Sequence, residues 1–356
     1  MQQMKAVRLF AHGGPEVLTY LDVPTPEVGD HDVLIRVRSV AINQWDLRYR
    51  AGKLPPNPLP GRPPWPLPFQ LGRDGAGEVV AVGSRVTRWK LGDRVAQLPH
   101  PACGHCAMCL RARDNLCLNT TYPGHQAFGS YAEYVARPEL AVLAIPDHVS
   151  YDIAAATLWA YSTPLNCAMR RAPAGTGDTV VITGASGGLA TACAQLAKLR
   201  GATVIGTTTK PQRADELRAI GYDTILDSTD PSLPSQVKEL TRGLGADAVW
   251  DCVGGTEFLR LAVSCTRVGG AVAVLGAPIT EDGFDLSIST LAFIFGELDI
   301  VGVRAATRCD QGLCMQLVGQ GKISPVIDRV FPLAKTSDAH RYLESHRQIG
   351  KVMLAP

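Results

Sequence analysis

The strongest constraint on the fold is a glycine-rich turn set between an apolar run and an alanine-rich one. Val180-Val181-Ile182-Thr183 has the β-branched character of a buried strand, and Leu189 to Arg200 has the spacing of a helix. Between them stands Thr183-Gly184-Ala185-Ser186-Gly187-Gly188-Leu189-Ala190. Glycines in that setting let the backbone turn tightly and approach a pyrophosphate, whose charge is favoured by free N–H groups at a helix N-terminus. Gly184, Ser186, Gly187, Gly188 and Leu189 are the candidate contacts, with Ala190 at the close-packing position; a merely structural turn is the alternative.

The residues beyond the turn repeat the alternation. Thr203-Val204-Ile205-Gly206, Ala248-Val249-Trp250, Ala271 to Leu275 and Leu298 to Val303 read as strands. Gln212 to Ile220, Pro234 to Thr241 and Phe258 to Val263 read as helices. That is the pattern of βαβ units on a doubly wound parallel sheet. Before Asp152 the texture differs: Val33 to Val37, Gly77 to Gly83 and Asp93 to Ala96 are short extended runs punctuated by Gly, Pro and Asp, as in a mostly β domain. The expected class is α/β, with residues 1–157 as the β-rich domain, 158–304 as the parallel-sheet domain and 305–356 folding back onto the first.

The end of the second parallel strand carries the next signal. An NAD site has an acidic residue there to accept hydrogen bonds from the ribose hydroxyls. This chain has Thr207-Thr208-Thr209-Lys210, then Arg213. Neutral hydroxyls beside two cations suit a 2′-phosphate, so NADP(H) is expected over NAD(H), with Thr208, Lys210 and Arg213 as contacts. An ordinary solvated helix start is the other reading of the two cations.

Four of the ten cysteines fall within fifteen residues: Cys103, Cys106, Cys109 and Cys117, spaced C-x2-C-x2-C-x7-C. Four thiolates fill a tetrahedral zinc shell and leave no open position, so one structural zinc per subunit is expected, with His105 in place of one cysteine as a lesser possibility. The remaining six, Cys167, Cys193, Cys252, Cys265, Cys309 and Cys314, read mostly as small core residues.

Lys plus Arg is 35 against 33 Asp plus Glu, a net charge of +2, which excludes broad electrostatic binding to nucleic acid or an anionic membrane. The opening residues offer no secretory signal, and no window approaches 18 uncharged apolar residues, so a cytoplasmic location is expected. Leu54 to Pro68 holds eight prolines and reads as a stiff extended loop, either a flap beside a substrate cleft or a plain surface loop.

Together the pieces resemble the medium-chain dehydrogenase/reductase superfamily over essentially the whole chain, closest to its quinone-oxidoreductase-like branch. The matching segments include Met4-Lys5-Ala6-Val7, Gly72-Arg73-Asp74-Gly75-Ala76-Gly77-Glu78-Val79, Gly92-Asp93-Arg94-Val95, Gly129-Ser130-Tyr131-Ala132-Glu133-Tyr134, the glycine turn, Asp251-Cys252-Val253-Gly254-Gly255 and Pro325-Val326-Ile327-Asp328. The resemblance implies a GroES-like catalytic domain built from both chain ends, a Rossmann domain, and homodimers or homotetramers joined through Rossmann sheets. In the zinc-dependent alcohol dehydrogenases of this superfamily a second, catalytic zinc is held by three side chains. The corresponding positions here are Asn43, Arg73-Asp74 and Trp159 or a near neighbour, and Arg and Trp offer no ligand lone pair.

The implied activity is hydride transfer from NADPH to a quinone or an activated double bond (enone, enal or enoyl thioester) without a catalytic metal. An NADP-dependent carbonyl reductase or alcohol dehydrogenase is the runner-up, and an NADPH-binding sensor or scaffold the alternative from another class. Asn43 is a candidate donor to substrate oxygen or to the nicotinamide, and Asp46 a helix cap. Tyr49 is a displaced donor, while Arg48 is either an attractor of acidic or phosphorylated substrate or one half of a surface salt bridge. Trp159 either lines the pocket or packs the core. Thr163, Cys252, Gly276, Ala277 and Val303 match positions that approach the cofactor.

Overall fold

The computed structural model describes residues 2–54, 66–277 and 287–356. Alternation of side chains builds the first unit. In the strand Asp32–Ala41, Val33, Ile35 and Val37 are buried while Arg36 and Arg38 face outward, the period of two expected of a sheet with one covered face. In chain order the first elements are β1 (Gln3–Leu9), β2 (Leu18–Pro24), β3 (Asp32–Ala41), α1 (Gln44–Arg50), β4 (Asp74–Val82), β5 (Arg94–Gln97), β6 (Tyr134–Pro138), β7 (Val142–Ala144) and α2 (Tyr151–Asn166). Then follow β8 (Thr179–Ile182), α3 (Gly188–Leu199), β9 (Thr203–Thr208), α4 (Ala214–Arg218), β10 (Thr224–Asp227), α5 (Leu233–Leu240), β11 (Ala246–Asp251), α6 (Thr256–Cys265), β12 (Thr266–Val274), α7 (Thr290–Gly296) and β13 (Asp299–Gly302). The chain closes with α8 (Arg308–Gly319), β14 (Ile327–Pro332), α9 (Thr336–Glu344) and β15 (Lys351–Ala355).

Two units result, Met1–Trp159 with Ala306–Pro356, and Ala160–Ala305. In the first, a seven-stranded sheet runs β14-β15-β3-β4-β5-β7, with β6 also on β3. The C-terminal strand β15 pairs antiparallel with β3, Met353 opposite Ala41 and Leu354 opposite Val40, so the last residues complete the first sheet. The core beneath is built from Val33, Ile35, Val40, Leu71, Val95, Val352 and Leu354, all essentially buried.

The second unit is a six-stranded parallel sheet of order β10-β9-β8-β11-β12-β13. From β8 the chain winds outward through β9 and β10, then returns to β11 on the other side and winds outward again. Strand order therefore reverses between β8 and β11, the place where doubly wound sheets bind ligands at strand C-termini. The sequence-expected helix Gln212 to Ile220 is a 3-10 turn, Pro211–Arg213, followed by the short α4. Strand β12 begins earlier than its apolar run, at Thr266, and α6 runs two residues further each way than Phe258 to Val263.

Among the described residues no helix is long and apolar enough to cross a membrane. Most of the proline-rich stretch, residues 55–65, lies outside the described residues, and with it the question of a flap.

Candidate active site

The glycine turn follows β8 directly, at the strand reversal. Gly184 has φ +67, in the left-handed region, and a Cβ there would stand 2.8 Å from Val253 Cγ2, so both backbone and packing require glycine. No side chain caps α3, whose N-cap is Gly187, leaving its first N–H groups for a ligand. Tyr222 pins the turn: its hydroxyl donates to the carbonyls of Ala185 at 3.1 Å and Ala190 at 2.9 Å. Nothing in the local sequence pattern points to that tyrosine.

The neighbouring strand ends are sealed to one another. The buried Asp251 carboxylate accepts from Thr183 Oγ1 at 2.6 Å and from the N–H groups of Val253 and Gly254 at 3.0 Å, while burial raises its pKa. A Cβ on Gly276 would lie 2.3 Å from the Cys252 carbonyl, so β11 and β12 end in close backbone contact. Ala277 follows Gly276, and Val303 donates its N–H to Val274 O at 3.1 Å. Cys252 is half-buried with its Sγ 3.6 Å from that of Cys193, and Cys309, contrary to the expectation of core cysteines, is exposed. Buried Ser162, Thr163 and Thr207 hydroxyls have no hydrogen-bond partner among the described residues. Orphaned donors, an uncapped helix and a left-handed glycine together fit a dinucleotide in this unit.

At the end of β9, Thr208 Oγ1 accepts from the Lys210 N–H at 3.1 Å. Burial lowers the Lys210 pKa and the charge of Arg213 pushes it the same way, a mutual repulsion that an anion relieves. Arg213 is not wholly available: its guanidinium makes a two-point pair with Glu216, at 2.8 and 2.7 Å. Asp227 stands opposite Thr208 in the sheet, but its Oδ1 is taken by the N–H and hydroxyl of Thr229.

In the first unit the Sγ atoms of Cys103, Cys106, Cys109 and Cys117 all lie within 4.8 Å of one another. The 3.5, 3.9 and 4.0 Å separations among them bracket the roughly 3.8 Å edge of a zinc tetrahedron with Zn–S bonds of about 2.3 Å. The Leu118 N–H, foremost among several donors, draws the Cys106 thiol down to about 6. His105 turns away, its Nδ1 bonded to Cys103 O at 2.8 Å. The donor set fits a structural zinc held by the four cysteines.

The most unusual chemistry lies around the start of α1. Asn43 N–H donates to Asp46 Oδ2 at 2.8 Å, the helix cap, and Gly72 N–H reaches Asp46 Oδ1 at 3.3 Å. Asn43 Nδ2 donates to Ala41 O at 3.2 Å and to Asp74 Oδ2 at 3.1 Å, and its Oδ1 accepts from the Lys351 ammonium. Lys351 also stands 4.0 Å from Asp74 Oδ2. Burial raises Asp46 to about 7 and Asp74 to about 6, against the pull of Lys351 on both.

Beside them Arg73 is clamped between the rings of Tyr122 and Trp159, 4.2 and 4.1 Å to the centroids, with Nε on Pro99 O at 3.0 Å. His100 and His125 meet Trp159 edge-on, at 5.8 and 6.4 Å, and Trp45 meets His125 at 6.3 Å. Burial, with repulsion from Arg73, holds His125 neutral. Both histidines lack motif spacing in the sequence, and only the fold brings them to this aromatic wall.

Residues 29–147 match the alcohol dehydrogenase GroES-like domain, and residues 188–317 match the zinc-binding dehydrogenase domain. A quinone oxidoreductase of Pseudomonas aeruginosa is 31% identical over 99% of this chain and 99% of its own length. The chain belongs to the zinc-containing alcohol dehydrogenase family of medium-chain dehydrogenase/reductases. The crystal structure of an NAD-dependent alcohol dehydrogenase, 34% identical, superposes with a TM-score of 0.91 over 99% of this chain and 100% of that one. A zinc-binding dehydrogenase of Sinorhizobium meliloti bound to NADP, 28% identical, superposes with a TM-score of 0.85 over all of both chains. This member of the medium-chain dehydrogenase/reductases is accordingly an oxidoreductase with a GroES-like and a Rossmann domain.

The positions that the resemblance assigns to a catalytic zinc, Asn43, Arg73, Asp74 and Trp159, come together here, but their chemistry does not fit a metal. Arg73 and Trp159 stack on each other, and Lys351 already bonds the Asn43 oxygen. Among the described residues, only the four cysteines form a converging set of three or more ligating side chains. Two sequence-based roles need correction. Both Asn43 amide hydrogens are committed to Ala41 and Asp74, which makes it a positioning residue for Lys351 rather than a donor to substrate. Tyr49 donates to Pro66 O at 2.7 Å and stacks on Phe69, and burial raises its pKa, so it packs the wall rather than donating a proton.

Proposed function

We propose that this oxidoreductase uses NADPH to reduce a quinone or an activated carbon–carbon double bond, such as an enone, enal or enoyl thioester, without a catalytic zinc. The observation that carries the reading is the Arg73–Trp159 stack, with Lys351 on Asn43, at the positions that the family resemblance assigns to a catalytic zinc. NADPH, when bound, supplies the hydride. Arg73 and Lys351 supply positive potential beside an aromatic surface, where it stabilises negative charge developing on an acceptor oxygen. An acceptor that spreads this charge over an enolate or an aromatic ring needs less electrophilic help than a simple ketone, and solvent returns the proton. Neutral His125, Trp45, Tyr49 and Trp159 favour a flat, apolar acceptor over a small hydrophilic alcohol.

The test pairs metal content with turnover. One zinc per subunit, with NADPH oxidation by a quinone or an enone, is expected. The alcohol dehydrogenase names among the similar proteins favour a second reading, carbonyl reduction; near two zincs with ketone turnover would put that reading first.

For the cofactor, lysine and arginine at the end of β9 support NADPH. Replacing Lys210 and Arg213 by glutamine is expected to lower the preference for NADPH over NADH by about 10- to 100-fold, since one charge-assisted bond is worth roughly 1.5–3 kcal/mol. Fluorescence titration of both dinucleotides measures it, and tighter NADH binding in the unaltered protein would rule out the NADPH reading.

We propose also that two copies pair through the open edge strand β13 and the apolar side chains of α7, where Leu291, Ile294 and Phe295 are more than 60% exposed. Light scattering checks this, and a mass of one chain would overturn it. None of the ten cysteines is paired in a disulfide, which suits the reducing cytoplasm proposed as its location.

A further inference from the structure

Among the described residues, the buried cation of Arg48 has no counter-ion. It lies in α1 and is 4% exposed. Its guanidinium carbon sits 5.2 Å from the centroid of the Trp45 ring, and among the described residues this ring is its only side-chain partner. Among the described residues the buried Nε has no hydrogen-bond acceptor, and no carboxylate acts on the group.

The other buried arginines of this unit are treated differently. Arg50 bonds Gly13 O and His340 and pairs with Glu344; Arg137 bonds Gln97 Oε1, Ala136 O and Phe128 O; Arg73 bonds Pro99 O between two rings. For Arg48, burial lowers the pKa to about 10 and no neighbouring carboxylate opposes it. At that value the guanidinium stays charged at neutral pH, and a charge kept out of water without a counter-ion is strongly destabilising. A site that carries such a charge in the unliganded protein is preorganised for an anion. The planar fork, with one face on an indole, matches two oxygens of one carboxylate or phosphate.

The position is also suggestive of a ligand's edge rather than its reacting centre. Arg48 follows Asn43 by five residues on the same helix, and Trp45 links it through His125 to Trp159. We propose that Arg48 recognises an anionic oxygen group, a carboxylate or phosphate, on a molecule bound beside α1. On the reading of the protein as an NADPH-dependent reductase, on which this rests, the group belongs either to the acceptor or to the dinucleotide.

The test compares wild type with Arg48→Met, which keeps the apolar stem. In thermal shift at constant ionic strength, benzoate or inorganic phosphate should raise the wild-type melting temperature, against a chloride control, and leave Arg48→Met unmoved. The variant without anion should melt no lower than wild type, because it loses an unpaired charge rather than a bonded one. Two further arms identify the source. If the acceptor carries the anion, kcat/KM for a carboxylate-bearing enone falls roughly 10- to 100-fold in the variant while its neutral analogue is unchanged. If the dinucleotide carries it, NADPH Kd rises by a similar factor and both acceptors suffer equally.

No anion-dependent shift in wild type, with NADPH affinity and the acceptor ratio unchanged in the variant, overturns the proposal. A protein that reduces no enone or quinone would remove the proposed reaction, and the anion-induced shift would still decide the role of Arg48.

Discussion

Lys351→Met should lower the melting temperature by roughly 10 °C at pH 8 and by much less at pH 5. Breaking a buried ion pair from one side costs about 3–5 kcal/mol, and in a domain of this size each kcal/mol moves the melting temperature by about 2–4 °C. The pH dependence follows from the two carboxyls that act on the ammonium, Asp46 on α1 and Asp74 at the start of β4. Asp46 titrates near 7 and Asp74 near 6, raised by burial from an unfolded value of about 3.9. A carboxyl whose folded pKa is raised contributes stability that is fully present below its unfolded pKa and is lost as pH rises through the folded one. The wild type therefore loses stability from this cluster between about pH 4 and 7, and Lys351 limits the loss by favouring the charged carboxylates. Without it both carboxyls move up further, so the penalty grows toward pH 8. At pH 5 they are largely protonated, and removing a buried amine whose own pKa is lowered by burial is nearly neutral. Melting curves at pH 5, 6.5 and 8 on both proteins test this. An equal drop at all three would mean that the lysine stem matters through packing alone.

The same cluster shows what a linear sequence reveals and what it hides. The turn Thr183 to Ala190, the strand before it and the helix after it are legible because every residue that determines them is local: a left-handed glycine, an apolar run and an uncapped helix start. The four cysteines are legible for the same reason, and so is the Asp46 cap three residues from Asn43. Lys351, by contrast, reaches Asn43 across 308 positions of sequence, because β15 closes the sheet against β3. Arg73 and Trp159 are individually visible as unsuitable metal ligands, but the contact of the guanidinium with the Trp159 and Tyr122 rings is a packing result. The same holds for His100 and His125, which gain a role only from the rings that surround them. In the second unit the apolar residues of α7 belong to a surface rather than a core, a difference that hydrophobicity does not encode.

A larger and more local change is expected from the cysteine lobe, where Cys106→Ser should abolish zinc binding and loosen residues 103–117. The lobe has little regular structure. It consists of two 3-10 turns, Cys109–Arg111 and Asp114–Leu116, and Leu110, in the first of them, is 76% exposed. Outside the sulfur cluster, the Arg308 N–H donates to Asp114 Oδ2 at 2.8 Å, and Thr120 Oγ1 to Pro101 O at 2.7 Å. Where a metal organises a segment this small, its binding free energy is the segment's folding free energy. Cys106 is the sulfur to remove, since it contacts Cys109 and Cys117 and receives the Leu118 N–H. Zinc should fall from one per subunit to below detection, with rapid tryptic cleavage at Arg111 or Arg113, while NADPH affinity stays within about twofold because the Rossmann unit keeps its own core. His105→Ala is the control: its ring is exposed and bonded to the Cys103 carbonyl, so that variant should keep its zinc and its resistance to trypsin. Zinc retained by Cys106→Ser but lost by His105→Ala would exchange the two ligands and reassign the fourth coordination position to the histidine.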